Sequence, residues 1–214
     1  MKKRTTMLAL LLATGAGTCL QAQEKLTQFK VRDAITVRTP IMNDSINPKG
    51  EKYADKDLLK TPVVLDLADA PFQVLSTDTA GVLSFPKVEK DHSIYLLETS
   101  LRAERFMTGK LKVTSPARWE IFINGESKMS KENAEDSISG ASTREVNLRL
   151  EPEADYEITI KLLSGSKDKA VPTLKCELIK DDKFKDITCF VSPEQKKRFA
   201  LPNTVYGNRV IGVS

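Results

Sequence analysis

The stretch RWEIFINGESKMS, Arg118 to Ser130, decides the fold. Trp119, Ile121 and Ile123 alternate with Glu120, Phe122 and Asn124, the period-2 pattern of a strand with two different faces. Asn124-Gly125 then supplies two residues that tolerate positive φ, as a type I′ hairpin turn requires. The stretch therefore reads as a β-hairpin, and it carries the only tryptophan of the chain.

Working outward, six further segments have the same character. They are SIYLLETSL (93–101), RFMTGKLKVTS (105–115), TREVNLRL (143–150), DYEITIKLL (155–163), PTLKCELI (172–179) and FKDITCFVS (184–192). Each is rich in β-branched, aliphatic or aromatic residues and is bounded by Gly, Pro, Ser or charged turns. Seven short strands at this spacing predict an all-β fold, an antiparallel β-sandwich of jelly-roll type over 93–192. Residues 130–142, SKENAEDSISGAS, lack an apolar rhythm and read as an exposed loop.

Upstream, residues 23–92 read as an extended segment with short strands. FKVRDAITV suggests one strand. Residues 38–61, with Pro40, Pro48 and Gly50, read as a loop with one helical turn around Lys56–Leu59. Two or three short strands follow between Val63 and Phe85, broken at Asp-Ala-Pro and Thr-Ala-Gly.

The chain opens with three basic residues, Lys2, Lys3 and Arg4, then an apolar run from Met7 to Leu12 and a small-residue stretch ending near Ala22. This is the layout of a secretory signal, too short to span a bilayer of roughly 30 Å. Residues 1–22 are expected to be cleaved and the remainder exported to the periplasm or beyond the cell. Cys19 lacks the residues that a lipid-attachment motif places before it. The leader holds three positive charges and no negative one, so its removal takes the net charge from +4 to +1. Lysines and carboxylates are interspersed in what remains, which argues against a nucleic-acid partner. No later apolar run is long enough for a membrane span.

Two cysteines remain after the leader. Folding ELIKDDKFKDIT as a hairpin about Asp182-Lys183 would place Cys176 opposite Cys189. That register allows a cross-strand disulfide in an oxidising compartment. The alternative is a pair of small buried hydrophobes.

Chemically the sequence is plain. His92 is the only histidine; Ser93 beside it would face the other way on a strand, and no Gly-x-Ser-x-Gly elbow occurs. No catalytic residue is assigned. One His and two Cys fall short of a structural zinc set, and Asp181-Asp182 sits at a predicted hairpin tip between lysines. No metal and no cofactor is expected; neither phosphate-binding glycine motif occurs. Trp119, Asn124 and Tyr95 are the candidate ligand contacts, because an aromatic ring can stack on a sugar with amide groups alongside. The competing reading of Trp119 is core filling.

Arg118 to Ile179 resembles the lectin-type β-sandwich named after anthrax protective antigen. WEIFINGE matches the strand and Asn-Gly turn, EVNLRLEPEADYEITIKLL the next two strands about an acidic turn, and LKCELI the closing strand. The resemblance implies a carbohydrate-binding module, with glycan as partner. The sequence departs from the sugar-binding members in having no Asp-Asp calcium pair at the corresponding loop.

KKRFALPNTVYGNRVIGVS, Lys196 to Ser214, together with the leader and the sandwich, is similar to the lead-in of exported bacterial serine peptidases of the prolyl oligopeptidase clan. This resemblance implies that 193–214 is a linker and first strand of a downstream region. Propeller and hydrolase domains would then be the partners, and the present chain would be a non-catalytic accessory domain.

Overall fold

The computed structural model describes residues 23–37, 50–52, 54–60, 72–180 and 187–190. Thirteen strands and one short helix are found among them. The strands are β1 (Gln23–Lys25), β2 (Gln28–Arg32), β3 (Ile35–Val37), β4 (Phe72–Ser76), β5 (Val82–Ser84), β6 (His92–Ala103) and β7 (Met107–Thr114). They continue with β8 (Arg118–Ile123), β9 (Glu126–Lys131), β10 (Thr143–Leu150), β11 (Asp155–Gly165), β12 (Thr173–Lys180) and β13 (Ile187–Phe190), and the helix α1 is Asp55–Leu59. All strand pairings are antiparallel, and they form two sheets. The chain is an antiparallel β-sandwich.

The first sheet runs β1-β12-β7-β10, with β5 beside β12. The second runs β4-β2-β6-β11-β8-β9, and β3 and β13 also pair with β6. The FKVRDAITV segment is two strands instead of one: β2 and β3 pair with different parts of β6, on either side of Asp33-Ala34. Strands from 23–92 thus enter both sheets, since β1 and β5 pair with β12 while β2 and β3 pair with β6.

The core lies where the alternating patterns meet. In β10, Val146, Leu148 and Leu150 are buried while the intervening residues face solvent. Trp119, Ile121 and Ile123 from β8 join Tyr95, Leu97 and Leu101 from β6, Leu111 and Val113 from β7, and Leu174 and Leu178 from β12. β8 is buried along its whole length, which alternation alone does not explain. Its other face, at Phe122, is covered by α1. Leu58 and Leu59 pack there against Ile94, Leu96, Phe122 and Leu163, forming a second, smaller apolar cluster. The helix starts where Asp57 Oδ2 accepts the Ala54 N–H at 2.8 Å, which satisfies one of the donors that a helix N-terminus leaves open.

The Asn124-Gly125 turn has φ of 51° and 80°, the left-handed values its sequence predicts. Asn124 Oδ1 also accepts the Glu157 N–H at 2.8 Å, tying the hairpin to β11.

One expectation is corrected. β12 and β13 do not form a hairpin: Cys176 pairs with Val113 in the first sheet, and Cys189 with Leu101 in the second. Cys176 is a free, buried thiol in the core. Period-2 patterning identifies strands but is silent on which sheet each joins, and successive strands of a sandwich often cross between sheets. The Asp182-Lys183 turn lies outside the described residues.

Candidate functional site

Each candidate ligand contact is engaged in holding the fold. Trp119 has no exposed surface, and its indole Nε1 has no hydrogen-bond partner in the core. Tyr95 is 6% exposed; its ring lies 4.6 Å from that of Phe85 and its hydroxyl donates to the Pro86 carbonyl at 3.1 Å. Burial pushes the Tyr95 phenol up from its ordinary pKa. Asn124 spends its side-chain oxygen on Glu157. The structure does not bring the three together as a surface platform: two are interior, and the third braces a turn.

A polar constellation lies at the His92 end of the second sheet. The register sets Gly165 opposite His92 and Leu163 opposite Arg118. His92 Nε2 is 3.1 Å from Asp55 Oδ1 at the start of α1. Arg118 Nη2 donates to Asp55 Oδ2 at 2.6 Å, and Arg118 Nη1 donates to both Asp168 carboxylate oxygens at 3.0 and 2.9 Å. Asp168 Oδ2 also accepts the Gly165 N–H at 2.8 Å, fixing the turn after β11. A Cβ at Gly165 would lie 2.7 Å from His92 Cδ2, so the imidazole rests on bare backbone. The arrangement is a chain of hydrogen bonds and ion pairs, from His92 through Asp55 and Arg118 to Asp168, that clasps α1 to the sheet. Sequence spacing could not reveal it, because Asp55, His92, Arg118 and Asp168 come from four separate segments.

Two further clusters bury charge. On the outer face of the second sheet, Lys161 (2% exposed) stands opposite Glu120 (3% exposed), and Ser127 donates to Glu120 at 2.7 Å. Burial pushes the Lys161 ammonium down to about 8, with the Glu120 carboxylate opposing the drop. At the end of β9, buried Lys131 donates to the Ser115 carbonyl at 2.5 Å and to Glu135 at 2.8 Å. Burial lowers the Lys131 pKa. Burial also acts to raise the Glu135 pKa, but hydrogen bonds from Lys131 and Ser142 outweigh it and hold the carboxyl below its usual range. Residues 132–142 are accordingly tied to the body at Glu135, whose N–H also donates to Pro116, although the tip at Ile138 is 51% exposed.

No group of three or more His, Cys, Asp or Glu suited to a metal ion occurs among the described residues. The Asp181-Asp182 pair lies outside them. Burial pushes the Cys176 thiol up, so it is held as the neutral thiol. No helix among the described residues is long and apolar enough to cross a membrane.

No family model and no curated protein matches the chain. Solved structures do. A β-glucosidase from Kluyveromyces marxianus in complex with glucose aligns at 12% identity and a TM-score of 0.43, over 73% of this chain and 17% of the enzyme. A PA14 sugar-binding domain from an RTX adhesin aligns at 13% identity and a TM-score of 0.41, over 76% of this chain and 94% of that domain. A family 35 carbohydrate-binding module from an environmental isolate aligns at 11% identity and a TM-score of 0.35, over 55% and 82%. At these identities and scores the likeness carries neither a ligand nor an activity over to this chain.

Proposed function

We propose that this chain is a non-catalytic β-sandwich accessory module of an exported protein, a rigid body that positions or attaches a neighbouring domain. One observation carries the reading. Among the described residues the imidazole of its only histidine is bonded to Asp55 and to no hydroxyl or thiol, so no nucleophile is placed beside it. A general base works only on a nucleophile or a proton within reach of its other ring nitrogen. The leader at residues 1–22 supports export, and the resemblance of Lys196–Ser214 supports a peptidase as the longer parent; both stretches lie outside the described residues. The test is turnover by the purified chain against peptide, ester and glycoside panels. Rates equal to buffer are expected, and turnover abolished by a point substitution that leaves the chain folded would overturn the proposal.

A glycan-binding reading has one favouring observation, at a different place from Trp119. Phe106 is 42% exposed, and the Arg149 guanidinium sits 5.1 Å from its ring centre. An exposed ring beside a hydrogen-bonding cation suits the apolar face of a sugar and its hydroxyls. Affinity electrophoresis in polysaccharide gels tests it: retardation lost in Phe106→Ala supports glycan binding, and equal migration of all variants with and without glycan refutes it.

A further inference from the structure

Asn124 and Gly125 form the one Asn-Gly pair of the chain. In an open chain such a pair reacts with itself, because glycine has no side chain to keep its backbone nitrogen off the asparagine amide carbon. In the fold, both residues stand at the tip between β8 and β9, with Asn124 exposed to water. Asn124 holds a double tie to β11. Its N–H donates to the Glu157 carbonyl at 2.8 Å, and its Oδ1 accepts the Glu157 N–H at 2.8 Å. The side-chain carbonyl thus takes the place of a backbone carbonyl and carries the β8–β11 ladder one step past Ile123 and Ile158, after the main chain has turned away. β8 lies between β11 and β9 in the sheet. The amide carbon Cγ is therefore drawn to one side of β8 while Gly125 leads the chain off to the other.

We propose that Asn124 is a self-modification site gated by the β8–β9 hairpin. The closed turn holds the side chain away from ring closure, and the open turn lets the residue convert. In the conversion the Gly125 backbone nitrogen, having lost its proton to water, bonds to Asn124 Cγ, and the Cγ–Nδ2 bond breaks to release ammonia. Water then opens the succinimide so formed. Attack at Cγ leaves an aspartate in a normal backbone, whereas attack at the α-carbonyl leaves an isoaspartate whose main chain runs through Cβ and Cγ. One asparagine and one water give one acid and one ammonia, with no change of oxidation state. The aspartate keeps an oxygen to accept the Glu157 N–H. The isoaspartate puts an extra methylene into the main chain of a turn that has only Asn124 and Gly125 between the paired Ile123 and Glu126, and a hairpin turn this tight fits few backbone geometries. Conversion to isoaspartate is thus a one-way mark on chains that have opened at this hairpin.

Peptide mapping tests the proposal after parallel incubation of the chain at mildly alkaline pH, folded in buffer and unfolded in guanidinium chloride. Since conversion follows the open fraction, the folded rate is expected to be at least about tenfold below the unfolded one. Gly125→Ala keeps the asparagine but puts a Cβ at a φ of 80°, where an L side chain is strained. Its unfolded rate should fall, yet the ratio of folded to unfolded rate is expected to rise several-fold because the turn opens more often. In folded chains carrying isoaspartate, amide exchange should quicken along β9 and leave β10 as in the parent, while Asn124→Asp should keep β9 protected. An unfolded chain that retains its Asn124 amide would overturn the site. Equal folded and unfolded rates, or an unchanged ratio in Gly125→Ala, would overturn the gate, and an isoaspartate chain with β9 protected as in the parent would overturn the one-way step.

Discussion

Trp119 could be read two ways from its neighbours, as a sugar platform or as core, because alternation tells which residues share a face and not which face is wet. The structure puts it between the sheets with no exposed surface. Trp119→Ala should lower unfolding free energy by about 3–5 kcal/mol, as large-to-small core substitutions do. Trp119→Phe should lose less than half of that, because it also removes a buried N–H that lacks a partner. Chemical denaturation of both variants measures the difference. Lys161 was invisible as a special residue: a lysine in KLL reads as the solvated side of a strand, and its burial depends on what covers the outer face. Its ammonium is pushed down to about 8, below the ordinary lysine value of about 10.4 that the unfolded chain keeps. Between those values the unfolded state binds the extra proton, so Lys161 opposes folding fully below pH 8 and relents as pH rises above it. Comparing the parent with Lys161→Met from pH 8 to 9.5 should show the parent gaining stability relative to the variant, by up to about 1.4 kcal/mol per pH unit. A flat difference would show that the amine titrates normally.

Elements were the most legible scale. The seven segments from Ser93 onward all contain strands, because period-2 burial and β-rich composition are local properties. The Asn-Gly turn was equally readable, since the positive φ it needs restricts the residue types. Strand pairing was not: the Cys176–Cys189 hairpin failed because β12 and β13 join different sheets, a choice made by distant partners. The role of α1 was also hidden. Five residues cannot hold a helix by propensity, and α1 depends on Leu58 and Leu59 below and on Asp55 at its start. Asp55→Ala removes the shared acceptor of His92 and Arg118 and leaves Arg118, 9% exposed, with Asp168 alone. A loss of about 1–3 kcal/mol is expected, the range for an orphaned, partly buried charged hydrogen bond. Amide exchange should quicken at α1 and at the facing part of β8, while β7 and β10 in the other sheet keep their protection. Uniform quickening would mean that the clasp supports the whole sandwich and not the helix.

At the scale of the molecule, the sequence suggested a sandwich beginning at Ser93 after an extended lead-in, because the regular alternation begins there. The sheets are built otherwise. β6 is flanked on one side by β3, β2 and β13 in turn along its length, and β12 has both β1 and β5 beside it. Short strands with weak patterns become edge and flank pieces whose stability comes from the long strands they pair with, so their own sequences advertise them poorly. The lead-in also supplies core: Leu26, Phe29, Val31, Leu83 and Phe85 are each no more than 5% exposed. At about 1.5–3 kcal/mol for each buried side chain, these five represent on the order of 10 kcal/mol, comparable to the whole net stability of a typical domain. A chain starting at Ser93 should therefore lose the fixed packing around Trp119 although every regular strand of the pattern is present. Its near-UV circular dichroism should be flat and its calorimetric transition absent or broad, while a chain starting at Gln23 should melt in one cooperative step. If the shorter chain melts cooperatively within a few degrees of the longer one, the lead-in strands are ornaments on a self-sufficient sandwich.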